Sequence, residues 1–172
     1  MSKTYIITFI GDDRPGLVEQ LSSTIERHGG NWQESQLSQL GGKFAGLILV
    51  SLAGADGTEL EEALKGLAAS GLSVRVTPCS GAVASTEGEH SIALSVLGPD
   101  RPGIVREISR ALAQRQINVA EMESSVESAP MSGELLFRAA IRALVPADTD
   151  MGDLQDSLDT IANQMTLEID LD

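Results

Sequence analysis

Aromatic side chains are nearly missing from this sequence, at 3% of its 172 residues. Any core must therefore be aliphatic, and stacking surfaces for bases or sugars are scarce. Basic residues are also short, with twelve Lys and Arg against twenty-five Asp and Glu and a net charge of −13. Such a chain repels phosphate backbones instead of releasing their counterions, so no direct nucleic-acid contact is expected. The excess is uneven: six basic and nine acidic residues run through Ser80, six basic and sixteen acidic ones follow. That surface suits solubility, or docking to a basic partner. A lone cysteine, Cys79, excludes an internal disulfide, and no Cys/His spacing fits zinc. The two histidines, His28 and His90, have no nucleophile or second ligand at useful spacing. No metal, cofactor or catalytic residue is expected. Long hydrophobic runs are absent too, and the N-terminal stretch MSKTYIITFIGDDRPG is too short in apolar residues for a signal core or a span. A cytoplasmic chain without a membrane anchor is expected.

What is present is a repeat. IITFIGDDRPGLVEQLSSTI at 6–25 returns as IALSVLGPDRPGIVREISRAL at 92–112 with an offset of 87. Asp13, Arg14, Pro15 and Gly16 recur as Asp100, Arg101, Pro102 and Gly103, and Gly11, Asn31 and Glu34 recur as Gly98, Asn118 and Glu121. A period of this length marks a duplicated small domain, not a solenoid. The spacing predicts domains at 1–78 and 90–172, joined by a linker at 79–89 that is small, polar and aperiodic.

Each unit reads as strand, helix, strand, strand, helix, strand. Tyr5, Ile7 and Phe9 alternate with Ile6, Thr8 and Ile10, and Ile92, Leu94 and Val96 match them. After the first strand come Leu17, Val18, Leu21 and Ile25, or Ile104, Val105, Ile108 and Leu112, as an aliphatic helical stripe. Asp13 and Asp100 are predicted as N-caps, with Pro15 and Pro102 in the first turn. The second strands, 31–40 and 118–127, are polar, whereas the third, 44–52 and 135–144, are apolar. Gly41-Gly42 signals a tight hairpin, and Thr58 with Glu61 a capping box before Leu60, Leu64 and Leu67. Asp150 precedes the apolar positions Leu154, Leu158, Ile161 and Met165, and the last strands fall at 72–77 and 166–171. The expected fold is α+β: two tandem ferredoxin-like βαββαβ units, each a four-stranded antiparallel sheet with two helices on one face. Polar second strands belong at the sheet edges and apolar first and third strands at the centre.

This element order, the D-R-P-G step after the first strand and the Asn opening the second strand resemble the ACT domain family, in two copies over nearly the whole chain. The resemblance implies a non-catalytic regulatory protein that binds a small amino acid at the loop between first strand and first helix, often where two ACT units meet. Its form as two units with nothing attached is similar to the branch of the family that controls transcription of glycine cleavage, which implies glycine as effector. The partner implied is a transcription activator or other regulatory protein, and ACT interfaces imply a homodimer. Helix-start amides point outward with partial positive charge, so Gly16, Leu17 and Val18, or Gly103, Ile104 and Val105, suit a carboxylate. Asp13 or Asp100 and the amide carbonyl of Asn31 or Asn118 suit an ammonium. Several family members carry Asn before the Arg, where this chain has Asp13 and Asp100, and Asp12 in one copy faces Pro99 in the other.

Other roles stay open at these positions. Asp13 and Asp100 fit plain helix caps, and Arg14 and Arg101 fit ion-paired turn residues as well as ligand clamps. Asn31 and Asn118 also fit turn residues. Trp32 is expected to pack, Glu34 and Glu121 to charge an exposed edge, and His28 to meet helix-end carbonyls. The alternative function is a small acylphosphatase-like enzyme on the same topology, in which an Arg and an Asn cooperate. G-D-D-R-P-G instead places acid where phosphate would sit. An RNA-binding fold of this layout needs aromatics on its central strands, and only Tyr5 and Phe9 are candidates.

Overall fold

A computed structural model describes residues 2–54, 57–79 and 88–172. Contacts divide the chain into two units, Met1–Val83 and Ala84–Asp172. Most of the expected linker, 80–87, lies outside the described residues. The first unit contains β1 (Ser2–Asp12), α1 (Leu17–Arg27), β2 (Gly30–Leu40), β3 (Lys43–Ala53), α2 (Thr58–Lys65) with a 3-10 extension at Gly66–Ser70, and β4 (Ser73–Pro78). The second contains β5 (His90–Pro99), α3 (Ile104–Ala113), β6 (Asn118–Ser128), β7 (Leu135–Val145), α4 (Met151–Met165) and β8 (Glu168–Leu171). The sheets are ordered β2-β3-β1-β4 and β6-β7-β5-β8, with every pair antiparallel. Apolar strands are central and the polar β2 and β6 are edges, because only a strand flanked on both sides and roofed by helices must be apolar.

Alternation builds each core. Tyr5, Ile7 and Phe9 of β1 lie against Val50 and Ile48 of β3 and under Leu17, Leu21 and Ile25 of α1 and Leu60 and Leu64 of α2. In the second unit Ile92, Leu94 and Val96 meet Ala143, Ile141 and Ala139 beneath Ile104, Ile108, Leu112, Leu154 and Leu158. Each fully buried aliphatic side chain contributes about 1.5–3 kcal/mol. Tyr5 and Phe9 are thus covered by helices and present no ring for a base to stack on. Tyr5 Oη also accepts the buried Gly57 amide at 2.9 Å.

Several local expectations need correction. Asp13 and Asp100 do not cap helices: Gly16 and Gly103 occupy the N-cap positions, no side chain caps them, and Pro15 and Pro102 stand in the turn before the helix. Val18 and Val105 are exposed, since the buried rungs Leu17, Leu21 and Ile25 step by four and leave position 18 beside the stripe. The capping box does not form as expected either, because Gly57 is the N-cap and Thr58 the first helical residue. Asp150 does cap α4, accepting the Asp153 amide at 3.1 Å. Gly29 leaves α1 in the left-handed region at φ +75°, and Gln116 takes the same conformation after α3 at φ +57°.

One pair of recurring glycines answers to packing. A Cβ on Gly11 would sit 2.7 Å from Leu72 Cδ2 and 3.2 Å from the Gly71 carbonyl, and one on Gly98 2.7 Å from Leu167 Cδ2 and 2.8 Å from the Thr166 carbonyl. The loop after the second helix thus presses on the end of β1 or β5. Gly11→Ala and Gly98→Ala are each expected to destabilise their own unit by about 1–3 kcal/mol, through overpacking. Gly98→Ala should cost more, since the nearer backbone carbonyl cannot swing away, and urea unfolding of each variant measures both.

Candidate functional site

Both D-R-P-G segments form the same loop. The Asp13 amide donates to the Gly42 carbonyl at 3.0 Å and that of Asp100 to Leu135 at 2.8 Å, which ties each loop to the hairpin beside it. Arg14 Nη2 donates to the Ser70 carbonyl at 3.0 Å, and Arg101 Nη2 to that of Met165 at 2.7 Å. Each carbonyl immediately precedes a left-handed residue, Gly71 or Thr166, that closes the second helix. The arginine therefore satisfies the carbonyl end of the helix packed beside it, where a cation is favoured by the helix dipole. This positioning role was not legible from the motif, and it engages one Nη2 group of each guanidinium.

Past the arginine the chain turns into the helix through Gly16 at φ +91° and Gly103 at φ +98°, a region costly for other residues. The first amides received inside the chain are those of Gln20, by the Gly16 carbonyl at 2.9 Å, and of Glu107, by that of Gly103 at 3.0 Å. Among the described residues nothing takes the amides of Gly16, Leu17 and Val18, or of Gly103, Ile104 and Val105. These helix-start groups are the ones that donate most readily to a carboxylate. The two loops differ in their acids. Asp13 Oδ2 accepts from Gln39 Nε2 at 2.8 Å and Asp12 pairs with Lys43, whereas the exposed Asp100 carboxylate has no partner among the described residues.

Asn31 and Asn118 are not at these loops. Asn31 lies opposite Ser51, which lies opposite Thr4, and Asn118 lies opposite Leu144, which lies opposite Ser91. Eight residues of strand separate each level from the end of β1 or β5, about 26 Å at 3.3 Å per residue. The loop amides and the Asn of the same unit therefore cannot both touch one small ligand. β1 and β2 both run antiparallel to β3, so the start of β2 sits beside the start of β1 and far from its end. Each Asn precedes a bulge, between Trp32 and Glu34 or between Val119 and Glu121, that sequence reasoning missed. The bulge is repeated at the same offset, and bulges of this kind re-aim edge residues.

Trp32 is half-buried against the first core, and the His28 ring nitrogen Nδ1 meets the Thr24 carbonyl at 2.8 Å. Glu121 receives Arg142 Nη2 at 2.8 Å. A polar hollow of about 300 Å³ lies at the far end of α3 from Gly103, lined by Arg115, Gln116, Asp150 and Asp153. Arg115 is already held there by Asp153 and Ser157.

Two small βαββαβ units, each opening its first helix on unused amides, define a tandem ferredoxin-like α+β protein. Residues 3–77 and 92–159 each match the ACT domain, and the chain belongs to that family. It is 23% identical over 163 residues to the glycine cleavage system transcriptional repressors of Escherichia coli (strain K12) and Shigella flexneri, covering 95% of this chain and 86% of each relative. A solved structure of a protein of unknown function from Galdieria sulphuraria superposes with a TM-score of 0.89 at 29% identity, covering 100% of this chain and 98% of that one. Another, of a protein assigned as a glycine cleavage system transcriptional repressor, gives 0.73 at 24% identity, covering 100% and 97%. Among the described residues no helix is long and apolar enough to cross a membrane.

The hydrogen bond and charge of Arg142 hold the Glu121 carboxyl below the usual glutamate range, and Lys43 does the same for Asp12. A lowered native pKa means that each pair's contribution is present above the ordinary carboxylate range and is lost as pH falls through the depressed value. Arg142→Ala is expected to raise the Glu121 midpoint toward that of a free glutamate, read by carboxyl-carbon NMR titration, and to leave Asp12 unmoved.

Proposed function

We propose that this chain is an effector-binding regulator without catalytic chemistry of its own, which senses a small amino acid, glycine first, and passes the signal to a protein partner that controls transcription of glycine cleavage. The unused amides at the head of α1 and α3 carry the reading. They suit the effector's carboxylate, and a glycine at each helix start lets the ligand approach the backbone. The ammonium requires acceptors, and Asn31 or Asn118 supplies them from a second ACT unit rather than from the same one. β2 and β6 are edge strands, and β6 is exposed along its whole length. If two such edges pair antiparallel, the start of one strand meets the end of the other, and Asn31 arrives beside the hairpin that carries the partner unit's loop. Edge pairing would also satisfy backbone groups that otherwise face water.

The relatives named as glycine cleavage repressors support the effector and the regulatory setting. The strongly acidic second half supports action through a transcription activator or another protein and not through DNA. Effector binding then biases the pairing of units, and the partner reads the altered surface.

Calorimetric titration with glycine, serine and larger amino acids tests the reading. Glycine is expected to bind, and Asn31→Ala and Asn118→Ala to weaken it at least tenfold, about 1.4 kcal/mol, although each Asn lies far from its own unit's amides. Absence of heat with every amino acid would sink the sensor, and full retention of binding by both variants would sink the cross-unit seat.

A further inference from the structure

The two units differ on the face of the sheet that carries no helices. Because Tyr5, Ile7 and Phe9 point under the helices, Ile6, Thr8 and Ile10 point the other way, and register places Leu49, Leu47 and Ala45 beside them. Ile10 is 49% exposed and Leu47 48%, and Leu40 on the neighbouring edge is 82% exposed. At the corresponding positions of the second unit, opposite Ala93, Ser95 and Leu97, stand Arg142, Ala140 and Arg138. The fold is the same in both, so an apolar open face is not something it requires. The second unit shows the soluble solution, with Arg142 paired to Glu121 across the face. The first unit keeps the matching acid, Glu34, but sets it opposite Leu49. A patch of this kind on an otherwise charged chain marks an interaction site.

We propose that the open sheet face of the first unit binds the same face of a second copy of this chain. Four strands about 4.8 Å apart and some nine residues long present about 600 Å² per face, and two such faces give about 1,200 Å², the lower end of what a specific interface needs. The face is complementary to itself. A two-fold axis along the strands lays β3 over β1 of the second copy, so by level Leu49 meets Ile6, Ala45 meets Ile10, and Leu47 meets Thr8 between those two isoleucines. The same axis lays β2 over β4, which brings Glu34 near Arg75, two residues apart in level through Ile6 and Thr8. Sheets packed face to face in this way sit about 10 Å apart with strands nearly aligned, and aliphatic side chains fill the gap. This stacking leaves the hydrogen-bonding edges of the strands and the helix-start amides free.

The test grafts the second unit's solution onto the first. Ala45→Arg with Leu49→Arg copies Arg138 and Arg142, and Glu34 is in place to pair with the new Arg at 49. The wild-type chain is expected to sediment at micromolar concentration as a multiple of its 18.1 kDa mass. The double variant should show half the wild-type mass, with an unchanged circular dichroism spectrum. Leu47→Lys, at a half-exposed site, gives the same reading should the double variant fail to fold. A monomeric wild type overturns the proposal, as does a folded variant that keeps the wild-type mass. The first outcome would assign the patch to another protein, and the second would place self-association at the strand edges.

Discussion

A four-stranded sheet roofed by two helices buries one of its faces and leaves the rest to water, and every opportunity for recognition in this chain lies where that cover ends. Burial of Ile7, Leu21, Ile48 and Leu64 in one unit, and of Leu94, Leu112, Leu154 and Leu158 in the other, holds the layers together. The price is that each helix must begin and end at the rim of the sheet. Its first amides and last carbonyls then stand unsatisfied unless something meets them. Arg14 and Arg101 meet the carbonyl end of the second helix, while the amide end of the first is left open. One loop thus closes one helix terminus and presents another.

The duplication acts as an internal control on which features the fold demands. Gly11 and Gly98, Gly16 and Gly103, the two arginines and the two bulges recur because the same backbone path needs them. Features that diverge answer to something other than folding. Asp12 with Lys43 in one loop is replaced by Pro99 in the other, and the two-residue turn after β2 becomes a longer one after β6. Leu47 and Leu49 stand where the second unit carries Ala140 and Arg142. The units share an architecture and differ in the surfaces they offer.

Under the proposed reading, the loop is where a regulator meets the carboxylate of a small zwitterion. Physical argument adds a constraint on how that sensing is assembled. An Asn at the start of the second strand and a helix head after the first strand belong to opposite ends of one sheet, so an effector touching both must bridge two units. Under that reading a ligand that contacts both units would favour their edge pairing by its differential affinity for the paired state.

The repeat, the order of elements, the central and edge strands and the aliphatic cores were readable in the amino-acid sequence because they follow from periodicity, which is local. The motif suggests caps at Asp13 and Asp100, whereas the helices start three residues later, at Gly16 and Gly103. The separation of Asn31 from its own loop was implicit in the topology, because strands flanking a common antiparallel neighbour run in the same direction. Which carbonyl Arg14 reaches, which residues crowd Gly11 and which side of the sheet Leu47 shares with Ile10 depend on contacts between segments far apart in the chain. Periodicity assigns a residue to a face, whereas only the folded register decides what lies across from it.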